Sequence, residues 1–219
     1  MHRRRTAIAL SAALTAPLLL TACGGTAHPG AAAVVGQERI TVAQLENRVN
    51  EVRTAQRAAA TNDTQYQQTL ARTGSLTRDT LHSLVLDRVL ERAAKDAGVR
   101  VTRRDVQELR TSLQAQAGGA KALQAAWLEQ YGVAPGRVDD NLHTNVQAQK
   151  LATALGVDMN TIDGKTTFWK AMSQASKELH VDLNPRYGTW DVRKSSRVDA
   201  KTPWVKEVTA VAAAQQQPA

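Results

Sequence analysis

Leu84-Val85-Leu86-Asp87-Arg88-Val89-Leu90-Glu91-Arg92-Ala93-Ala94-Lys95-Asp96-Ala97-Gly98-Val99 carries the strongest helical pattern in the sequence. With the residues before it, it places Leu81, Leu84, Val85, Val89, Leu90, Ala93 and Ala97 on one wide stripe at helical spacing. The spacing predicts a long, half-buried helix over residues 77–97, stopped by Gly98. Immediately afterwards Thr102-Arg103-Arg104-Asp105 forms a capping box. It opens a second helix with Val106, Leu109 and Leu113 facing inward, broken at Gly118-Gly119.

Working outward, the same signals recur on both sides. Upstream, Val34-Val35-Gly36-Gln37-Glu38-Arg39-Ile40 has a turn-capable step between short apolar ends and predicts a small hairpin. Thr41-Val42-Ala43-Gln44 caps a helix with Leu45, Val49 and Val52 inward. Residues 58–75 are polar and predict a frayed helix end and a loop. Downstream, a short helix over residues 121–131 carries Leu123, Trp127 and Leu128. Gly132 ends it, and Pro135 starts another that runs to about Leu155 with Val138, Leu142, Val146 and Leu151 on one face. A final helix opens at Asp163 or Thr166 and repeats Phe168, Met172, Ala175 and Leu179. After it, Val181 to Trp190 is extended, with Pro185 and Gly188 pinning a turn.

The remainder of the 219 residues supplies the compartment rather than the fold. Arg3, Arg4 and Arg5 precede an uncharged apolar run from Thr6 to Leu20 and then Leu20-Thr21-Ala22-Cys23-Gly24. This pattern reads as a secretory signal peptide over residues 1–22. Leu, a small residue and then Cys resemble the bacterial lipobox, in which Cys23 receives a diacylglyceryl group, its acyl chains of the palmitate type. Two chains, at about 0.8 kcal/mol per buried methylene, make a stable anchor. Residues 23–33 read as a flexible tether, and residues 192–219, turning Ala-, Gln- and Pro-rich, as a mostly disordered tail.

Composition excludes several functions. One cysteine among 219 residues can form neither an internal disulfide nor a cysteine zinc site. Removing residues 1–22 leaves 25 basic residues against 20 acidic ones, an excess too modest to argue for nucleic acid outside the cytoplasm. Five histidines are scattered without metal-ligand spacing, and His82 and His143 read as helix-surface residues. Asp158-Met159-Asn160-Thr161-Ile162-Asp163-Gly164 misses a calcium loop, because Ile162 stands where a ligand oxygen is needed and no Glu closes it. There is no Walker loop, nucleophile elbow or dinucleotide fingerprint. No catalytic residue, metal or cofactor is assigned.

The order of these elements resembles the chaperone domain of the SurA and PrsA family, extracytoplasmic chaperones related in architecture to the peptide-binding domain of trigger factor. The hairpin with Ile40-Thr41, the stretch Leu84 to Val99, and Val101-Thr102 carry the first half of the likeness. Val181-Asp182-Leu183-Asn184-Pro185-Arg186-Tyr187-Gly188-Thr189-Trp190-Asp191 resembles the segment with which such chains return to complete the domain. The resemblance spans residues 34–191. It implies a mainly α, peptide-binding domain with a small N-terminal hairpin and a C-terminal return helix and extended segment, in which Asn184, Pro185, Arg186, Tyr187 and Gly188 are structural.

Many members insert a parvulin prolyl-isomerase domain, on the order of 100 residues, before the return segment. Here only Gly156 to Ile162 separate the last two long helices, so the isomerase half does not carry over. The function expected is therefore a non-enzymatic, ATP-independent holdase. It would bind unfolded secreted polypeptides in a Leu/Val/Met-lined cradle at the outer face of the cytoplasmic membrane. The alternative is an adaptor lipoprotein of the same fold with one dedicated envelope partner. Trp127 and Tyr131, four apart on one helix face, either plug the core or line a client groove.

Overall fold

The computed structural model describes residues 29–199. Residues 1–28, with the expected signal peptide over 1–22 and the expected lipid attachment at Cys23, and residues 200–219 lie outside the described residues. The fold is mainly α, as expected. A hairpin of β1 (Ala31–Val35) and β2 (Glu38–Thr41) leads into α1 (Val42–Ala59), α2 (Asp63–Arg72), α3 (Leu76–Asp96), α4 (Arg103–Ala117) and α5 (Ala120–Tyr131). A 3-10 turn over Pro135–Arg137 opens α6 (Val138–Ala154), followed by α7 (Ile162–Glu178). The chain returns through β3 (Asp182–Leu183), a 3-10 turn over Pro185–Tyr187, β4 (Thr189–Asp191) and β5 (Ser196–Val198).

Local chemistry sets these boundaries. Thr41 and Thr102 each accept a hydrogen bond from the backbone N–H three residues on, and Gln44 and Asp105 reciprocate, completing both capping boxes. Two backbone donors that helix starts leave orphaned are satisfied at each place. Gly118, at φ +85°, ends α4 in the left-handed conformation that a side chain would resist.

Helix α3 is the axis of the molecule. Its buried side chains Leu81, Val85, Val89, Leu90 and Ala93 lie on the predicted stripe, and α3 packs against α1, α6 and α7. Two core clusters divide along it. One joins Leu81 and Val85 to β1, Ile40, Leu45, Leu183 and Tyr187. The other joins Val89 and Leu90 to Leu151, Phe168, Met172 and Ala175. Smaller clusters tie Val52 and Leu76 to Leu128, and Leu123 to Val138 and Leu142.

The return segment closes this core across more than 140 residues of sequence. Strand β3 pairs antiparallel with β1, with Ala33 opposite Leu183 and Val34 opposite Asp182, giving a three-stranded sheet in the order β2-β1-β3. The Asn184 backbone N–H donates to the Ala32 carbonyl at 2.9 Å, and its side-chain amide donates to the Ala31 carbonyl at 3.1 Å. The Trp190 indole N–H donates to Ser176 Oγ at 2.6 Å, pinning the segment to α7. Asn184 thus ties the return segment to β1, and Trp190 ties it to α7.

Four expectations need correction. The first strand begins at Ala31, inside the expected tether, because Ala31, Ala32 and Ala33 are fully buried strand residues. Strand β1 lies between its two partner strands and packs on α3. At the other end, residues 192–199 are not disordered tail: β5 pairs with β4, setting Thr189 opposite Val198. The polar stretch 58–75 is mostly helical, since α1 continues to Ala59 and α2 fills residues 63–72. No α2 residue is buried, so it carries no apolar stripe to read. It is held by the Asn62 cap and by Arg53, whose guanidinium donates to the Thr73 carbonyl at 2.8 Å.

Finally, His82 is not a free surface residue. It lies half-buried against the Trp190 ring at 5.7 Å between centroids, and its Nδ1 accepts from the Arg197 backbone N–H at 3.3 Å. Burial, assisted by the Arg197 charge and opposed by Asp79, pushes its pKa down. It is therefore a neutral joint between α3 and β5.

Candidate functional site

Helices α3 and α4 both pack on α6, but they make no substantial interface with each other. The space this leaves is a cleft of about 890 Å³ floored by Leu84 and Asp87 of α3, with Val106 and Arg110 on the α4 side and Asp139 and His143 on the α6 side. A second cavity of about 380 Å³ adjoins it, between α1, the start of α3 and the α5–α6 connection. The two share Arg48, Leu84, Asp87, Asp140 and Thr144, so they are neighbouring compartments of one groove along α3.

The compartments differ in character. Half of the larger one's lining residues are charged, and Leu84, Val101 and Val106 are its apolar side chains. Three of its four arginines are paired, Arg110 with Asp139 at 2.6 Å, Arg88 with Glu38 at 2.6 Å and Arg48 with Asp140, while Arg103 makes no ion pair among the described residues. The smaller is more apolar, lined by Val52, Leu76, Leu84, Leu86, Val133 and Ala134. No methionine lines either compartment, which corrects the expected Leu/Val/Met cradle. Met172 is core, 2% exposed.

Between the compartments an ion-pair network spans from α1 to α6. Arg137 donates two hydrogen bonds to Glu51, both at 2.8 Å, and reaches Asp140 at 3.2 Å. Arg48 stands 3.6 Å from Asp140 and 3.8 Å from Glu51. The Arg137 hydrogen bonds hold the Glu51 carboxyl below its ordinary range despite some burial. These groups are about a third or more exposed to solvent, so the network contributes geometry more than stability. It braces two helices that otherwise have little contact across the groove.

Asp87 is the exception to this pairing. Burial raises its pKa, opposed chiefly by the Arg88 charge and then by the Thr144 hydroxyl, which donates to it at 3.4 Å. That distance is long for a hydroxyl–carboxylate hydrogen bond. The floor of the groove therefore carries a carboxylate whose hydrogen-bonding capacity is incompletely used. Nearby, Asp105 is drawn down to about 2, mainly by its bond with Lys150 at 2.6 Å and then by the Thr102 donors of the capping box. This fixes the mouth of the cleft, joining α4 to α6.

The structure separates Trp127 and Tyr131, although their rings meet edge to face at 5.3 Å. Trp127 packs on the Leu123–Val138–Leu142 cluster, and its indole N–H is committed to Asn141 Oδ1 at 3.0 Å. Tyr131 is 56% exposed and stands at the lip of the smaller compartment. Sequence reasoning missed Leu84, Asp87 and Val106 as groove residues because each reads as an ordinary helix position. Among the described residues no cluster of His, Cys, Asp and Glu could hold a metal ion; Asp158 Oδ1 accepts from the Asn160 backbone N–H in a turn, and Thr161, which accepts from the Gly164 N–H, caps α7. No described helix is long and apolar enough to cross a membrane.

The described residues form a small helical domain whose central helix floors an open groove, closed by a returning C-terminal strand. The chain matches the SurA-like N-terminal domain family over residues 2–152 and belongs to that family. The match ends within α6, so α7 and the return segment lie beyond it. No match was found among curated proteins or among solved structures.

Proposed function

We propose that this protein is an ATP-independent, non-enzymatic holdase that binds unfolded secreted polypeptides in the groove along α3, at the outer face of the cytoplasmic membrane. The observation that carries the reading is the paired compartments over Leu84 and Asp87. The smaller takes an apolar side chain beside Val52, Leu76 and Tyr131. The under-used Asp87 carboxylate accepts from a client backbone N–H, which an unfolded chain always offers. The charged walls keep the contact weak and reversible, and tethering offsets the weakness by raising the effective concentration at the site of translocation.

The test is light scattering from two unrelated unfolding clients without ATP, with the chain from Gly24 at stoichiometric ratio. Suppression of both is expected, and Leu84→Glu with Val106→Glu is expected to weaken it several-fold while helical circular dichroism is retained. No suppression by a folded sample would sink the general holdase.

One observation favours a second reading. The larger compartment is lined by fixed ion pairs rather than by adaptable apolar side chains, which suits a dedicated envelope partner with a complementary charge pattern. Such an adaptor would form one stoichiometric complex and leave unrelated clients unprotected.

The location rests on Arg3 to Cys23. Cys23→Ala is expected to leave the precursor uncut or to release the protein from membranes. A processed variant that still sediments with membranes would remove the lipid anchor from the proposal.

A further inference from the structure

The outer face of α7 combines exposed apolar side chains with cations that no acid neutralises. Of the three large apolar side chains most exposed among the described residues, two lie on it: Ile162 at 83% and Trp169 at 42%. Lys165 and Lys170 flank them, and Arg193, from the turn between β4 and β5, completes the border of a shallow depression of about 560 Å³. Its lining holds three cations and no acid.

Most groove cations are neutralised. Arg48, Arg88, Arg110 and Arg137 are engaged by carboxylates and Arg103 alone of the groove arginines is not, whereas none of Lys165, Lys170 and Arg193 makes an ion pair among the described residues. The nearest candidates are otherwise placed. Asp163 sits in the first turn of α7, where the helix dipole favours it. Glu178 is bound to Arg92, and Asp191 accepts from the backbone N–H groups of Arg193 and Lys194. The patch is therefore an unneutralised basic rim around a half-exposed indole and an isoleucine.

That combination has a specific physical match. A half-exposed Trp prefers the boundary between water and hydrocarbon, where its ring is dehydrated and its N–H stays wet. Lysine and arginine beside it meet phosphates while their stems lie on the apolar layer. Phe168 is buried beneath and meets Trp169 edge to face at 5.8 Å, so the indole is held on a rigid helix rather than on a loop. We infer that the outer face of α7, with Arg193, is a docking surface for an anionic phospholipid bilayer, with Trp169 and Ile162 inserted and Lys165, Lys170 and Arg193 on headgroup phosphates. Bound this way, the domain holds a fixed face to the membrane instead of tumbling on its tether, and the groove presents a constant orientation to emerging chains.

The inference rests on the reading that the protein works beside a bilayer, but it uses no part of Cys23 or of the groove. The two therefore fail separately. The experiment is flotation of the chain from Gly24, which contains every described strand and helix, with phosphatidylcholine vesicles holding or lacking about 30% phosphatidylglycerol.

Binding to the anionic vesicles alone is expected, weakening steeply between low and high salt. Each basic residue near an anionic surface supplies about five-fold in partitioning, so Lys165→Glu with Lys170→Glu costs at least about 25-fold. Trp169→Ala is expected to cost several-fold while client protection is unchanged. Three results would overturn the inference: no binding to anionic vesicles, binding indifferent to all three substitutions, or binding to a soluble polyanion without binding to vesicles.

Discussion

Trp190→Ala lowers the free energy of unfolding by about 3 kcal/mol or more, read as a fall in the urea midpoint at unchanged slope. The ring is only partly buried, yet it packs against both main core clusters and covers His82. Its removal therefore opens contacts on two sides. It also leaves Ser176 Oγ, on a residue that is 0% exposed, without the donor it has at 2.6 Å. A buried hydroxyl stripped of its partner costs about 1–3 kcal/mol by itself. Trp190→Phe separates the two contributions, because it keeps most of the apolar contact and loses only the N–H. A loss below about 1 kcal/mol for the alanine variant would mean that the return segment lies on the domain without holding it together.

Gly188→Ala is the second large effect, with an expected loss of about 3 kcal/mol, and its origin is backbone rather than packing. Gly188 sits at φ +114° and ψ −157°, a region that side chains essentially never occupy. A Cβ there would stand 2.3 Å from the Val198 carbonyl oxygen, so the β4–β5 ladder has to open to admit it. Opening that ladder also pulls Arg197 from His82 and from the Tyr187 carbonyl. Loss of protection against proteolysis on the C-terminal side of Tyr187, with α3 to α6 still helical, is the expected signature. Unchanged stability and proteolysis would show that this hairpin rearranges freely.

Both variants lie beyond the stretch that the family match covers, and that gives them their use. The match ends at residue 152, yet α3 is buried on one flank by α7 and, through β1, by β3. A chain cut after α6 would leave Val89, Leu90 and Leu183's partners on β1 facing water. The domain as a folded unit is therefore longer than the segment that marks its family.

Much of this was legible in residue order. The stripes of α3, α6 and α7, the capping boxes at Thr41 and Thr102, and the return through Pro185 and Gly188 are local signals, and the structure carries them at those positions. Helix α2 was illegible because it buries nothing, so no period marks it. Ala31 to Ala33 read as tether because small residues signal looseness in isolation, and only packing turns them into the tightest part of the sheet.

The groove was illegible for a different reason. Leu84, Asp87 and Val106 become a site because α3 and α4 both rest on α6 without closing on each other, and no property of those side chains announces a gap. The same holds for the exposed face of α7, where Arg193 arrives from another element. Sequence alone determined the helices, their ends and the family, since capping, periodicity and turn chemistry act within a few residues. Tertiary structure decided which charges are paired, which carboxylate is left under-bonded and which cations stay free, because those depend on contacts between segments up to more than 100 residues apart.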